Sequence, residues 1–207
     1  MDEAREEFLT HGYAGATMEA VARRSRISKK SLYARYPSKQ DLYAAVVTDW
    51  VRRGRDAMRP HLDALEQDAL SGGADVRAAL MRFTAALQAA VLSPAVLRMR
   101  TLVAAEATRT PQVANAYLNG SWEANVRALG RTLETLMEHG VIASADAGVA
   151  AEQLTWLALA APLNRLTLTG GTATCPSDAL ESIGRQAVDS FLARFAQPQN
   201  QPQELAR

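Results

Sequence analysis

The sequence predicts an all-α protein, with a small N-terminal three-helix domain of helix-turn-helix type joined to a larger C-terminal helical domain. Three observations carry this. Ala and Leu are abundant among 207 residues that are 48% apolar, while alternating Val/Ile/Thr runs are missing. Apolar residues recur at i, i+3 and i+4 between Gly, Pro and Ser punctuation. Near the N-terminus, two short helical patterns are joined by only Ser25 to Ile27, a link that sets two helices at a steep angle.

Glu3 to Thr10 reads as a first helix, with Ala4 and Phe8 on one face and Gly12 as its stop. Thr17 is placed to N-cap a second helix with a Met18, Val21 and Ala22 stripe. Ser28 caps a third, "KKSLYARY", which ends before Pro37. Ser38 caps a fourth, expected to run to about Met58 with Leu42, Val46, Trp50 and Val51 at helical spacing. Beyond Pro60, "SGGAD", "SP", "TP", "HG", "SADAG" and "TGGTATCPSD" divide the chain into about five or six further helices. Pro162 implies a kink in one of them. The last, Asp178 to Phe195, carries an Ile183, Ala187, Val188, Phe191, Leu192 and Phe195 stripe that a lone surface helix would waste. These boundaries give domains at 1–47 and 48–197, with 198–207 a polar, proline-bearing and disordered tail.

Charge is balanced overall at +1 but uneven along the chain. From Ala20 to Lys39 stand Arg23, Arg24, Arg26, Lys29, Lys30, Arg35 and Lys39, with no acid between them. A basic field confined to one end of a neutral protein suggests an anionic partner there. Cys175 is the only cysteine, which excludes an intramolecular disulfide and a thiolate metal cluster. The first residues are charged, unlike a secretory signal, and a cytoplasmic location is expected. The most hydrophobic segment, Val149 to Leu168, is interrupted by Glu152, Gln153, Asn164 and Arg165. Its apolar run is far below the roughly 18 residues of a membrane span, so a core or interface helix is expected and no membrane partner.

Nothing points to catalysis, a metal or a cofactor. His11, His61 and His139 lack metal-ligand spacing, and no phosphate loop, dinucleotide fingerprint or nucleophile elbow occurs.

The ordered run "HGYAGATMEAVARRSRISKKSLYARYPSKQDLYAAVV" resembles the DNA-binding domain of the TetR family of bacterial transcriptional regulators. The matching positions are Gly12-Tyr13, Thr17, Val21-Ala22, Ser28-Lys29, Leu32-Tyr33, Tyr36, Ser38-Lys39 and Leu42. "RMRTLVAAEATRTPQVANAYLNG" looks, more loosely, like the effector-binding domain of AcrR- and AefR-like members. There are two departures. Arg26 stands where the turn normally carries a glycine with positive φ, and the chain begins partway through the pattern's first helix.

The residue types suit a duplex. Thr17 and Ser28 open helices whose free N–H groups and partial positive charge favour phosphate, and Lys39 would flank the same backbone. Lys29, Lys30 and Ser31 lie in the first turn of the third helix, where base edges come within reach, and a lysine donates to guanine O6 or N7. In the family, tyrosines at the positions of Tyr33 and Tyr36 reach phosphates. Each residue also has a plainer reading. Both tyrosines suit half-buried packing, Lys30 suits a solvated charge, and hydroxyl caps are preferred without any DNA.

In the larger domain, Arg98, Glu106, Asn125 and Asn164 are polar groups among Met99, Leu102, Tyr117, Trp122 and Trp156, a composition that suits a pocket for a small-molecule effector and equally suits plain core. Leu157 with Ile183, Val188, Phe191, Leu192 and Phe195, on the two apolar C-terminal helices, are the expected homodimer contacts. The expected function is a ligand-responsive repressor of a palindromic operator on double-stranded DNA. The alternatives are a sequence-independent DNA-binding protein, or a helical small-molecule binder without a regulatory role.

Overall fold

The computed structural model describes residues 1–71, 75–170 and 172–197. The expected disordered tail, 198–207, and part of the "SGGAD" break lie outside the described residues. Helices account for nearly all of the rest, and among the described residues the only extended pairing is an isolated bridge between Ile142 and Ala196.

Local signals place the N-terminal helices. α1 (Asp2–Gly15) breaks at Gly12, whose φ of 67° is a left-handed conformation that glycine adopts at no steric cost. α2 (Met18–Arg24) is capped by Thr17, whose Oγ1 accepts from the Ala20 N–H at 3.1 Å. α3 (Lys29–Arg35) is capped by Ser28, whose Oγ accepts from the Ser31 N–H at 3.0 Å. Between them, Ile27 N–H donates to Ala22 C=O and Arg26 N–H to Arg23 C=O, closing the turn as a Schellman motif. Its left-handed residue is Arg26, at φ 56°. α4 (Lys39–Leu70) opens with a reciprocal box: Asp41 N–H donates to Ser38 Oγ, and Ser38 N–H to the Asp41 carboxylate.

α4 corrects one expectation. It does not end near Met58 but runs 32 residues, through Pro60. Proline removes one hydrogen bond, yet Met58, Leu62, Leu65 and Ala69 continue the buried stripe on both sides of it. Then follow α5 (Val76–Val91), α6 (Pro94–Glu106) and α7 (Pro111–Tyr117). A π-helical turn at Leu118–Trp122 leads into α8 (Glu123–Glu138), and the chain closes with α9 (Ala147–Leu168) and α10 (Ser177–Phe195). α9 passes through Pro162 without ending.

The chain forms two compact units that do not follow chain order. One comprises Met1–Asp56 with Pro94–Glu123; the other begins at Ala57, leaves after Ser93 and resumes at Ala124. In the first, Phe8, Leu42, Tyr43, Val46 and Val47 share a core with Met99, Leu102, Val103 and Val113, so α6 and α7 are packed with the helix-turn-helix. Gly120 belongs to this unit and approaches α4 so closely that a Cβ would stand 2.6 Å from Val51 Cγ1. In the second, α5, α9 and α10 pack together, burying Leu80, Phe83, Leu154, Leu159, Val188 and Phe191.

That core corrects a second expectation. Val188, Phe191 and Phe195 are buried within the chain, so their stripe is already covered and offers no side-chain surface to a second copy. Ile183 and Leu192 are half-buried. The exposed apolar surface belongs to α9 instead: Val149 (44%), Trp156 (45%), Leu157 (47%) and Leu168 (77%), spaced so that they share one side of the helix. Among the described residues no single helix is long and apolar enough to cross a membrane.

Candidate nucleic-acid interface

Leu32 is the one buried residue of α3; it anchors the helix while Lys29, Lys30, Ser31 and Tyr33 stay exposed around it. The leading end is capped. Ser28 Oγ accepts the Ser31 N–H and lies 2.9 Å from Ser31 Oγ, which ties both hydroxyls to the cap. Thr17, at the start of α2, is exposed, and with its oxygen accepting from Ala20 its hydroxyl proton can point outward.

Tyr33 is 42% exposed, as a phosphate contact requires. Tyr36 differs. Its ring packs against the core of the first unit, while its hydroxyl accepts from Arg35 Nε at 3.1 Å and donates to Met1 Sδ at 3.4 Å. The phenol therefore sits at the rim, already engaged. Arg24 pairs with Glu3 at 3.0 Å, whereas Arg23, Arg26 and Lys30 are exposed on the same head.

Lys39 corrects a third expectation. Its ammonium turns inward, donating to Ala14 C=O at 3.0 Å and Ala16 C=O at 2.7 Å, and lies 4.8 Å above the Tyr13 ring. The break at Gly12 and the end of α1 leave carbonyls without helical partners, and Lys39 satisfies them. Its charge staples α1 to the start of α4 rather than flanking a backbone.

Lys29 has a partner that local sequence reasoning missed. Its Nζ lies 3.0 Å from Glu19 Oε1, across the gap between α3 and α2. The hydrogen bond from Lys29 is the first cause holding the Glu19 carboxyl below the ordinary carboxylate range. The available signal was composition: between His11 and Gln40, Glu19 is the single acid.

The expected effector residues are distributed over both units. Met99 and Leu102 fill the first unit's core. Glu106 accepts from Arg109 at 3.0 Å, Arg98 is exposed, and Tyr117 and Trp122 are partly buried. Burial pushes the Tyr117 phenol up. Asn125 is partly buried at the start of α8, while Trp156 and Asn164 stand on the outside of α9, too exposed to line a cavity of this chain. A groove of about 200 Å³ in the first unit, between α4 and α7, is lined by Gln40, Asp41, Ala44, Val47, Gln112 and Val113 among others, and includes none of these residues. Among the described residues no group of His, Cys, Asp and Glu is arranged to hold a metal.

Two family models match the chain. The one described as bacterial regulatory proteins, tetR family, covers residues 1–46, and AefR-like transcriptional repressor, C-terminal domain, covers 78–197. No curated protein sequence matches. Among solved structures, a Mesorhizobium loti protein assigned to the TetR-family regulators is similar at TM-score 0.89 and 24% identity, over 95% of this chain and 94% of that one. The flavonoid-responsive regulator FrrA is similar at 0.71 and 24%, over 95% of each chain. A Pseudomonas syringae pv. tomato TetR-family regulator is similar at 0.67 and 19%, again over 95% of each. At such identities these likenesses show a shared fold.

Proposed function

Because the chain belongs to the TetR family of bacterial transcriptional regulators, whose members regulate transcription rather than catalyse reactions, we propose that it is a homodimeric, ligand-responsive repressor of a palindromic operator. Residues 1–47 read DNA in the cytoplasm, and 48–197 hold the effector and the second copy. The observation that carries this is the leading end of α3: Lys29, Lys30 and Ser31 exposed, Ser28 capping and Leu32 anchoring. That arrangement is what major-groove readout requires, since a recognition helix enters the groove with its N-terminal residues at the bases. In a two-fold dimer, two such helices meet successive major grooves about 34–36 Å apart.

Release follows if a small apolar or amphipathic effector binds better to a conformer whose α4 helices hold the heads at another separation. Equal affinity for both conformers would shift nothing. The name of the flavonoid-responsive neighbour makes planar amphipathic phenols a sensible first class of compound to screen.

Selection from random duplexes tests the reading. Enrichment of a two-fold symmetric site is expected, with affinity falling as salt rises. Equal affinity for every duplex would favour a sequence-independent binder, and no binding to any duplex would favour a small-molecule protein without a regulatory role.

A further inference from the structure

We infer that Glu19 is a specificity-determining residue of the reading head: it tethers the Lys29 ammonium at the leading end of α3, so that this lysine meets a base edge instead of serving as one more phosphate cation. The inference rests on the DNA-reading role of α3.

From His11 to Gln40 the chain has seven basic residues and one acid, Glu19. An acid on a face that approaches phosphates opposes binding, so its presence calls for a role. Position in the first turn of α2 gives it a favourable helix dipole, but that alone does not require reach toward another element. Glu19 does reach: its carboxylate meets Lys29 Nζ at 3.0 Å.

The pair is not a stability device. Its side chains are 48% and 61% exposed, and exposed ion pairs contribute little to folding. What it changes is direction. A lysine is a point charge on a flexible four-carbon stem, free to swing to whichever phosphate is nearest. Held by Glu19 through one N–H, Lys29 retains its remaining ammonium hydrogens for an acceptor such as guanine O6 or N7. Lys29 first, and then the backbone, hold the Glu19 carboxyl below its ordinary value, which favours the charged form that pairs with the ammonium. The neighbouring Lys30 is exposed as well and can serve the phosphate side.

The test compares the parent, Glu19→Gln, Lys29→Ala and the double variant on two probes, the selected operator duplex and a random duplex of equal length, across a salt series. Glu19→Gln is expected to tighten random-duplex binding several-fold at low salt and to steepen its salt slope by about 0.9, the value of one added phosphate contact. Operator binding gains less, so the operator-to-random ratio falls. In the Lys29→Ala background the same substitution should leave the ratio unchanged. An unaltered ratio in Glu19→Gln overturns the inference. So does a fall that persists without Lys29, which would make Glu19 a bare charge near the backbone. A parent chain that selects no duplex removes the DNA-reading role itself, and this inference with it.

Discussion

Two residues hold conformations or groups that the fold tolerates at a cost, and each makes that cost measurable. Arg26 occupies the left-handed position of the turn between α2 and α3, where an L side chain crowds its own backbone by about 1 kcal/mol. Arg26→Gly should therefore raise stability by about 0.5–1 kcal/mol, read as a Tm increase of about 1–4 °C, while affinity for any duplex falls because one exposed cation is lost. A Tm that drops would show that the guanidinium contributes more than the strain takes away. Tyr43 is fully buried with a hydroxyl that has no hydrogen-bond partner. Burial first, then the nearby Glu106, Tyr13 and Tyr117, push its ionisation well above the ordinary phenol value. The folded chain then keeps a proton that the unfolded chain gives up near pH 10, so stability is level below that pH and declines as pH rises beyond it. Tyr43→Phe should gain about 1 kcal/mol at neutral pH, by removing an unsatisfied group, and should flatten the alkaline decline. Urea denaturation at pH 8 and pH 11 reads both; an equally steep alkaline loss in the variant would place its origin elsewhere.

Elements are held as much by long-range side-chain caps as by their own sequence. Pro162 lacks an N–H, which leaves the Ala158 carbonyl of α9 without its helical donor. Gln88 of α5 supplies it, donating through Nε2 to Ala158 C=O and to Leu180 C=O of α10, both at 3.1 Å. Gly184 lies beside this bridge, where a Cβ would just touch Gln88 Oε1 and Thr84 Cγ2 at 3.4 Å. Gln88→Leu should cost about 1–3 kcal/mol by leaving the buried Ala158 carbonyl unpaired. In a Pro162→Ala background the restored N–H serves Ala158, so the same substitution should cost less, though not nothing, because Leu180 C=O still loses the second hydrogen bond that Gln88 adds to its helical one. Equal costs in the two backgrounds would separate Gln88 from the proline. Legibility follows the same division. Thr17, Ser28 and Asp41 with Ser38 are caps spanning three residues, and short-range patterns reveal them. Lys39 reaches back to Ala14 and Ala16, Glu19 forward to Lys29, and Gln88 across to α9 and α10. Nothing local marks such partners, because tertiary packing chooses them. The passage of α4 through Pro60 is likewise decided by what Met58, Leu62 and Leu65 bury against.

For the whole molecule, the apolar stripe of α10 was readable but its destination was not, since periodicity states that a face is covered without stating by which chain. Val188, Phe191 and Phe195 turn out to face their own core, which moves the surface left for a second copy onto α9. Val149, Leu157 and Leu168 are large apolar side chains standing in water on one helix, together with Trp156. Large apolar side chains exposed along one side of a helix are candidates for an interaction site. An isologous pairing of α9 on α9, with the partly exposed Ile183 and Leu192 of α10 at its border, would cover them twice over through one two-fold axis. Leu157→Glu places a charge at that axis without touching the buried core of the protomer, so helix content should change little, while Tm loses the concentration-dependent part that dimerisation supplies. Sedimentation should show the dimer giving way to monomer. Operator affinity should then fall far more steeply than affinity for a single half-site, because two reading heads that are no longer joined lose the effective concentration that linkage gave them. If Leu157→Glu instead left the dimer intact at micromolar concentration, the second copy would have to seat elsewhere, and the exposed face of α9 would need a different occupant.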